Sequence, residues 1–199
     1  KNQIVVGNGA AELLYAICRL PGYTGAFVPA PGFSEYKAAL EASRIPVRDI
    51  YYRPREDEHG KPYFEVPYLA LETFAAELKG QDGRIIVFLG NPNNPDGTLL
   101  DKNHIRTIAS MLKDANSLLV IDESFIDFVG NDTLQDNEYS MRSLVNEFDN
   151  IIVVHSFTKF YAVPGLRIGA AFSNPLIIEQ LNSFIPTWSV NTLAQSYTE

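Results

Sequence analysis

Three short runs of the chain are apolar at every position: Ile-Ile-Val-Phe-Leu at 85–89, Leu-Leu-Val-Ile at 118–121 and Ile-Ile-Val-Val at 151–154. Such runs lack the alternation of a strand with one wet face, so they read as strands buried on both sides. A strand covered on both sides requires helices above and below it, and the intervening segments supply them. Helical spacing marks residues 10–19, 33–44, 68–78 (stopped near Gly80), 140–148, 174–184 and 188–197, and Asp101 can cap a further helix running to about 115. Shorter strand patterns fall at 4–6, 26–28, 47–52 and 168–172, while the charged, proline-broken residues 53–67 read as an exposed loop or hairpin. Strands alternating with helices predict an α/β fold in three layers, α/β/α, around a mostly parallel sheet.

At 199 residues and 46% hydrophobic content, the chain suits one domain with a sizeable core. A formal net charge of -8, without any lysine or arginine block, argues against a nucleic-acid partner. No apolar run approaches the length of a membrane span, and Lys1-Asn2-Gln3 leading into Ile4 is not a secretory pattern. The single cysteine, Cys18, lies among Leu14, Ile17 and Leu20, which makes it a core residue and fits a reducing cytoplasm. His59, His104 and His155 show no metal-ligand spacing, so no structural metal is expected. The first residue is not methionine and the last ones fall inside a helix-like run, so a longer protein is expected.

In parallel sheets of this kind ligands gather at the carboxyl ends of the strands. Polar clusters follow four of the strand patterns: Gly7-Asn8-Gly9, the loop from Asn91 to Gly97, Asp122-Glu123-Ser124, and Ser156 to Lys159. The first is a glycine turn opening a helix, which presents backbone N–H groups to an anion. The last begins a loop holding hydroxyls, an amine and, after Pro164-Gly165, the guanidinium of Arg167. Hydroxyls, an amine and a guanidinium together can bind a phosphate and condense with a carbonyl. Each residue alone also reads as ordinary: a solvated lysine, an exposed strand-end acid, a turn asparagine, a plain strand-to-helix connection.

Taken together, N-P-N-N-P-D-G at 91–97, D-E-S-F at 122–125 and S-F-T-K at 156–159 with an arginine eight residues after the lysine resemble the fold-type I pyridoxal-phosphate enzymes, the aspartate aminotransferase superfamily. The likeness covers nearly the whole chain in the right order. It implies pyridoxal 5'-phosphate as cofactor, with Lys159 forming the Schiff base to it and moving protons at the substrate's α carbon. Asp122 would face the pyridine nitrogen and keep it protonated, and Asn94 would donate to the ring's phenolic oxygen. The phosphate would be held by the Gly9 and Ala10 N–H groups, Ser156, Thr158 and Arg167. Phe33 matches the aromatic that stacks on the ring, with Tyr36 as the alternative and core packing as the plainer reading of both. The resemblance also implies a small amino-acid substrate and a homodimer whose partner completes each site.

Two departures stand out. Phe125 occupies a position where the superfamily often has tyrosine, so one hydrogen bond to the ring oxygen is missing. The family is also much longer, so residues 1–185 are expected to be the cofactor-binding large domain and 186–199 the start of a helix leading to a small domain. Within the superfamily, T-K-F-Y-A-V-P-G-L-R-I-G at 158–169 and P-T-W-S-V-N-T-L-A-Q at 186–195 look most like the threonine-phosphate decarboxylase branch of cobalamin side-chain synthesis. Histidinol-phosphate and other aminotransferases are the near alternative, and a non-catalytic nucleotide-binding domain is the distant one.

Overall fold

The computed structural model describes residues 2–78, 83–130 and 138–198. Nine strands and six α-helices follow one another among these residues: β1 (Ile4–Gly7), α1 (Ala10–Ile17), β2 (Tyr23–Ala30), α2 (Ser34–Ala42), β3 (Val47–Tyr51), β4 (Arg53–Glu56), β5 (Pro62–Glu65), α3 (Tyr68–Glu77), β6 (Arg84–Gly90), α4 (Lys102–Asp114), β7 (Leu118–Asp122), β8 (Ile151–Ser156), β9 (Gly169–Phe172), α5 (Pro175–Phe184) and α6 (Thr192–Thr198). Seven strands form one sheet in the order β1-β9-β8-β7-β6-β2-β3, and β4 and β5 form a separate hairpin. All neighbours in the sheet are parallel except β9, which runs against both β1 and β8.

The apolar runs are sorted by the pleat. Ile86, Phe88, Leu118, Val120, Ile152 and Val154 enter one core together with α1, α2 and α5. Their sequence neighbours Ile85, Val87, Leu89, Leu119, Ile121, Ile151 and Val153 enter a second core with α3 and α4. Successive strand residues point to opposite faces, so a run without polar interruption is compatible only with a sheet covered on both sides. The three-layer architecture expected from the sequence is therefore the one formed.

Local capping sets several boundaries. The Asp101 carboxylate accepts the N–H groups of Asn103 and His104 at 2.9 and 3.0 Å and starts α4. Asn174 does the same for Leu176 and Ile177, with Pro175 at the first position of α5. Residues 53–67 contain the exposed hairpin, as expected from their charge and prolines. Two helix expectations are corrected. Residues 140–148 hold only a 3₁₀ turn, Arg142–Asn146, because Ser140 Oγ and the Met141 N–H are tied to the buried Glu123 carboxylate. The last helix begins at Thr192, not 188: Asn191 caps it by accepting the Ala194 N–H, and Trp188 before it sits at φ 58°. The helix stop expected near Gly80 lies outside the described residues.

Candidate active site

The register brings the polar strand ends to one edge. Asp122, at the end of β7, lies opposite Gly90 on β6 and Val154 on β8. Ser156, at the end of β8, lies opposite Gly169, which on its other side faces Gly7 at the end of β1. Because β9 runs antiparallel, residues 157–168 leave β8 at this edge and return to the sheet at the same edge. Lys159 and Arg167 are thus delivered together, by a loop that never crosses the sheet.

Phe33, Tyr36, Pro92, Asn94, Asp122, Ser124, Phe125 and Lys159 line one small hollow at that edge. Asp122 is buried in its wall, 6% exposed. Its Oδ2 accepts a hydrogen bond from Tyr36 Oη at 3.0 Å, and its Oδ1 accepts one from the Ser124 N–H at 2.9 Å. Lys159 is an exposed residue whose amine stands 5.1 Å from the centroid of the Phe125 ring. Burial of that amine pushes its pKa down; Asp122 pulls it up and Arg167 pushes it down further. A lysine with a lowered pKa carries more free amine near neutrality, which is what condensation with a carbonyl requires.

Beside the hollow lies a place suited to an anion. Ser156 Oγ and Thr158 Oγ1 are buried and 2.9 Å apart. Arg167 holds the left-handed conformation, φ 54° and ψ 71°, and its guanidinium lies against Gly9, where an added Cβ would come within 2.5 Å of Nη2. Gly9 itself has φ 83°, a conformation that side chains resist. The start of α1 has no side-chain cap, so the amides of its first turn, from Ala10 onward, point out of the helix end. The Gly9 N–H donates to the Gly7 carbonyl at 2.8 Å. Without a side chain, Gly9 leaves room for the Arg167 guanidinium beside it. Gly169 completes the fit, since a Cβ there would come within 2.6 Å of the Ala10 nitrogen.

The structure also separates two aromatics that the sequence left as alternatives. Phe33 is half-buried and lines the hollow, while Tyr36 lies deeper, 1% exposed, stacked on Phe88 and bonded to Asp122. The Tyr36–Asp122 contact spans 86 positions, so no local signal announces it. Glu123 is the other residue that sequence reasoning passed over. It is fully buried and accepts from Ser140, Met141 and Asn91, stapling the loops that follow β6 and β7. Behind Ser156, His155 Nε2 and Asp127 Oδ2 form a buried pair at 3.0 Å that joins β8 to the 3₁₀ turn Ile126–Phe128. Among the described residues, no group of three or more acidic, histidine or cysteine side chains could hold a metal ion, and no helix is long and apolar enough to cross a membrane.

The chain is similar to several known enzymes. It is 35% identical over 198 residues to the adenosylcobalamin biosynthesis bifunctional protein CobDQ of Leptospira interrogans, covering 99% of this chain and 21% of that protein. It is 32% identical over 197 residues to a histidinol-phosphate aminotransferase of Thermoanaerobacter pseudethanolicus, covering 96% of this chain and 49% of that one. The crystal structure of L-threonine-O-3-phosphate decarboxylase from Porphyromonas gingivalis superposes with a TM-score of 0.71 at 26% identity, covering 97% of this chain and 51% of that one. The chain thus spans about half the length, or less, of these relatives. The family model for aminotransferase class I and II matches residues 1–199, and with that match over a sheet of this order and this arrangement at its edge, the chain belongs to the class I and II aminotransferase family.

Proposed function

We propose that this chain is the cofactor-binding part of a pyridoxal-phosphate enzyme acting on a phosphorylated amino acid, with decarboxylation of threonine phosphate as its reaction. The observation that carries the reading is a single hollow with Asp122 in one wall and Lys159 in another, next to an anion-binding corner. The names of relatives support it: one serves adenosylcobalamin biosynthesis and one of similar structure is a threonine-phosphate decarboxylase. Residues 1–185 form the large domain in this reading, and residues 186–199 lead toward a small domain that grips the substrate carboxylate. The protein works as a homodimer in the cytoplasm, the buried Cys18 being compatible with a reducing compartment.

Pyridoxal phosphate, when bound, supplies an aldehyde for an amine and a ring that takes up the electron pair of a bond broken at the amino acid's α carbon. The protein's own residues do the rest. Lys159, whose amine is pushed toward the neutral form, would hold the cofactor's aldehyde and would carry a proton to or from the substrate's α carbon. Asp122 would hold the protonated ring nitrogen, Asn94 would donate to the ring oxygen, and Phe33 would pack against the ring. Ser156, Thr158, Arg167 and the Ala10 N–H would bind the phosphate, the forked guanidinium suiting it better than an ammonium.

A second reading, histidinol-phosphate aminotransferase, is favoured by the 32% identity to such an enzyme. The two part at the product. Carbon dioxide released from threonine phosphate with no keto-acid acceptor is expected; strict dependence on 2-oxoglutarate would replace the decarboxylase with the aminotransferase. A protein that stays colourless with pyridoxal phosphate, with nothing fixed on Lys159 by borohydride, would leave a non-catalytic domain.

A further inference from the structure

Tyr36 is held more firmly than a packing residue requires. Its ring stacks on Phe88 at 5.3 Å and 18°, and meets the edge of Phe33 at 5.6 Å and 88°. Phe88 is itself fully buried in β6, so the phenol has a rigid base. Its hydroxyl donates to Asp122 Oδ2 at 3.0 Å, and the opposite oxygen, Oδ1, accepts the Ser124 N–H at 2.9 Å. The terminal torsion of an aspartate is otherwise broad, and two donors from different elements fix it. Burial, reinforced by Asp122, pushes the phenol well above its ordinary pKa, so the group keeps its proton and remains a donor. Phenylalanine would fill the same space. The hydroxyl therefore has one identifiable task.

We propose that Tyr36 is a positioning residue: its hydroxyl fixes the plane of the Asp122 carboxylate, so that a remaining lone pair faces the hollow and meets a protonated ring nitrogen. The inference rests on the pyridoxal-phosphate reading and adds to it a residue that never touches the reacting atoms. Its reach is confined to one ligand atom. Removing the hydroxyl should weaken only ligands that carry that nitrogen.

The test uses pyridoxamine phosphate, which cannot condense with Lys159, and its analogue with a C–H group in place of the ring nitrogen. Dissociation constants are measured by equilibrium dialysis with the full chain and with Tyr36→Phe. Loss of a charge-assisted hydrogen bond should weaken pyridoxamine phosphate by about tenfold, equivalent to about 1.4 kcal/mol, and the analogue by less than about twofold. Equal weakening of both compounds would make Tyr36 a packing residue, and no weakening of either would make its hydroxyl idle; each overturns the proposal. If Tyr36→Phe does not fold, 3-fluorotyrosine at position 36 keeps the ring and strengthens the donor. It should then tighten pyridoxamine phosphate and not the analogue, and unchanged or weaker binding overturns the proposal. A parent protein that binds neither compound overturns the reading of the whole site, an outcome distinct from a parent that binds and a variant that does not differ.

Discussion

At the scale of single residues, the amine of Lys159 is the most informative group. Burial lowers its pKa from the ordinary 10.5, Arg167 lowers it further, and Asp122 works in the opposite direction. Because Asp122 favours the charged amine, its removal should expose the other two influences. In Asp122→Asn the pH at which pyridoxal phosphate becomes fixable on Lys159 by borohydride should fall below that of the parent. A midpoint that rises in the variant would show that the two groups do not share a field. Lys159→Arg should fix no cofactor at any pH, because it stays cationic and cannot condense. The identities of these residues were legible in the sequence, since motif and spacing singled out Lys159, Asp122 and Arg167. Their mutual influence was not, because it depends on distances between segments far apart in the chain.

At the scale of elements, Glu123 shows how one side chain governs a loop. Burial raises its pKa above the ordinary 4.5, against the lowering effect of its donors Met141, Ser140 and Asn91 and of Arg142 nearby. For an acid whose folded-state pKa is raised, the folded state binds the proton more tightly than the unfolded state does. Stability then falls as pH rises from the unfolded value through the raised folded one. Glu123→Gln cannot titrate, so its thermal midpoint should lose less over that window than the parent's; an equal or steeper loss would count against a raised value. The same network explains why helical spacing over 140–148 became the 3₁₀ turn Arg142–Asn146. Tertiary bonds to Glu123 fix where that segment begins, and periodicity carries no information about them. By contrast α4 and α5 were readable to within a residue or so, because Asp101 and Asn174 are local caps.

At the scale of the molecule, the sheet is a partition between two cores, and the site hangs from its edge. Phe88 joins the two, lying in the first core and under the Tyr36 ring. Phe88→Ala should cost about 3–5 kcal/mol of stability, read as a fall in the denaturant midpoint, because the cavity left behind collapses only in part. A loss below about 1 kcal/mol would mean that the strand can shift to fill it. The class of fold was open to reading from the chain alone. Uninterrupted apolar runs at 85–89, 118–121 and 151–154 can be satisfied only by cover on both faces.

The sequence by itself determined most of the strands and helices and the polar groups that follow them, because period, caps and turn residues act over a few positions. Only the tertiary structure decided that β9 returns antiparallel between β1 and β8, carrying Arg167 back beside Gly9, and that the Tyr36 hydroxyl meets Asp122. Apolar strands are interchangeable in their local chemistry. Their order in the sheet is chosen by the packing of the whole, and the order sets which strand ends stand side by side.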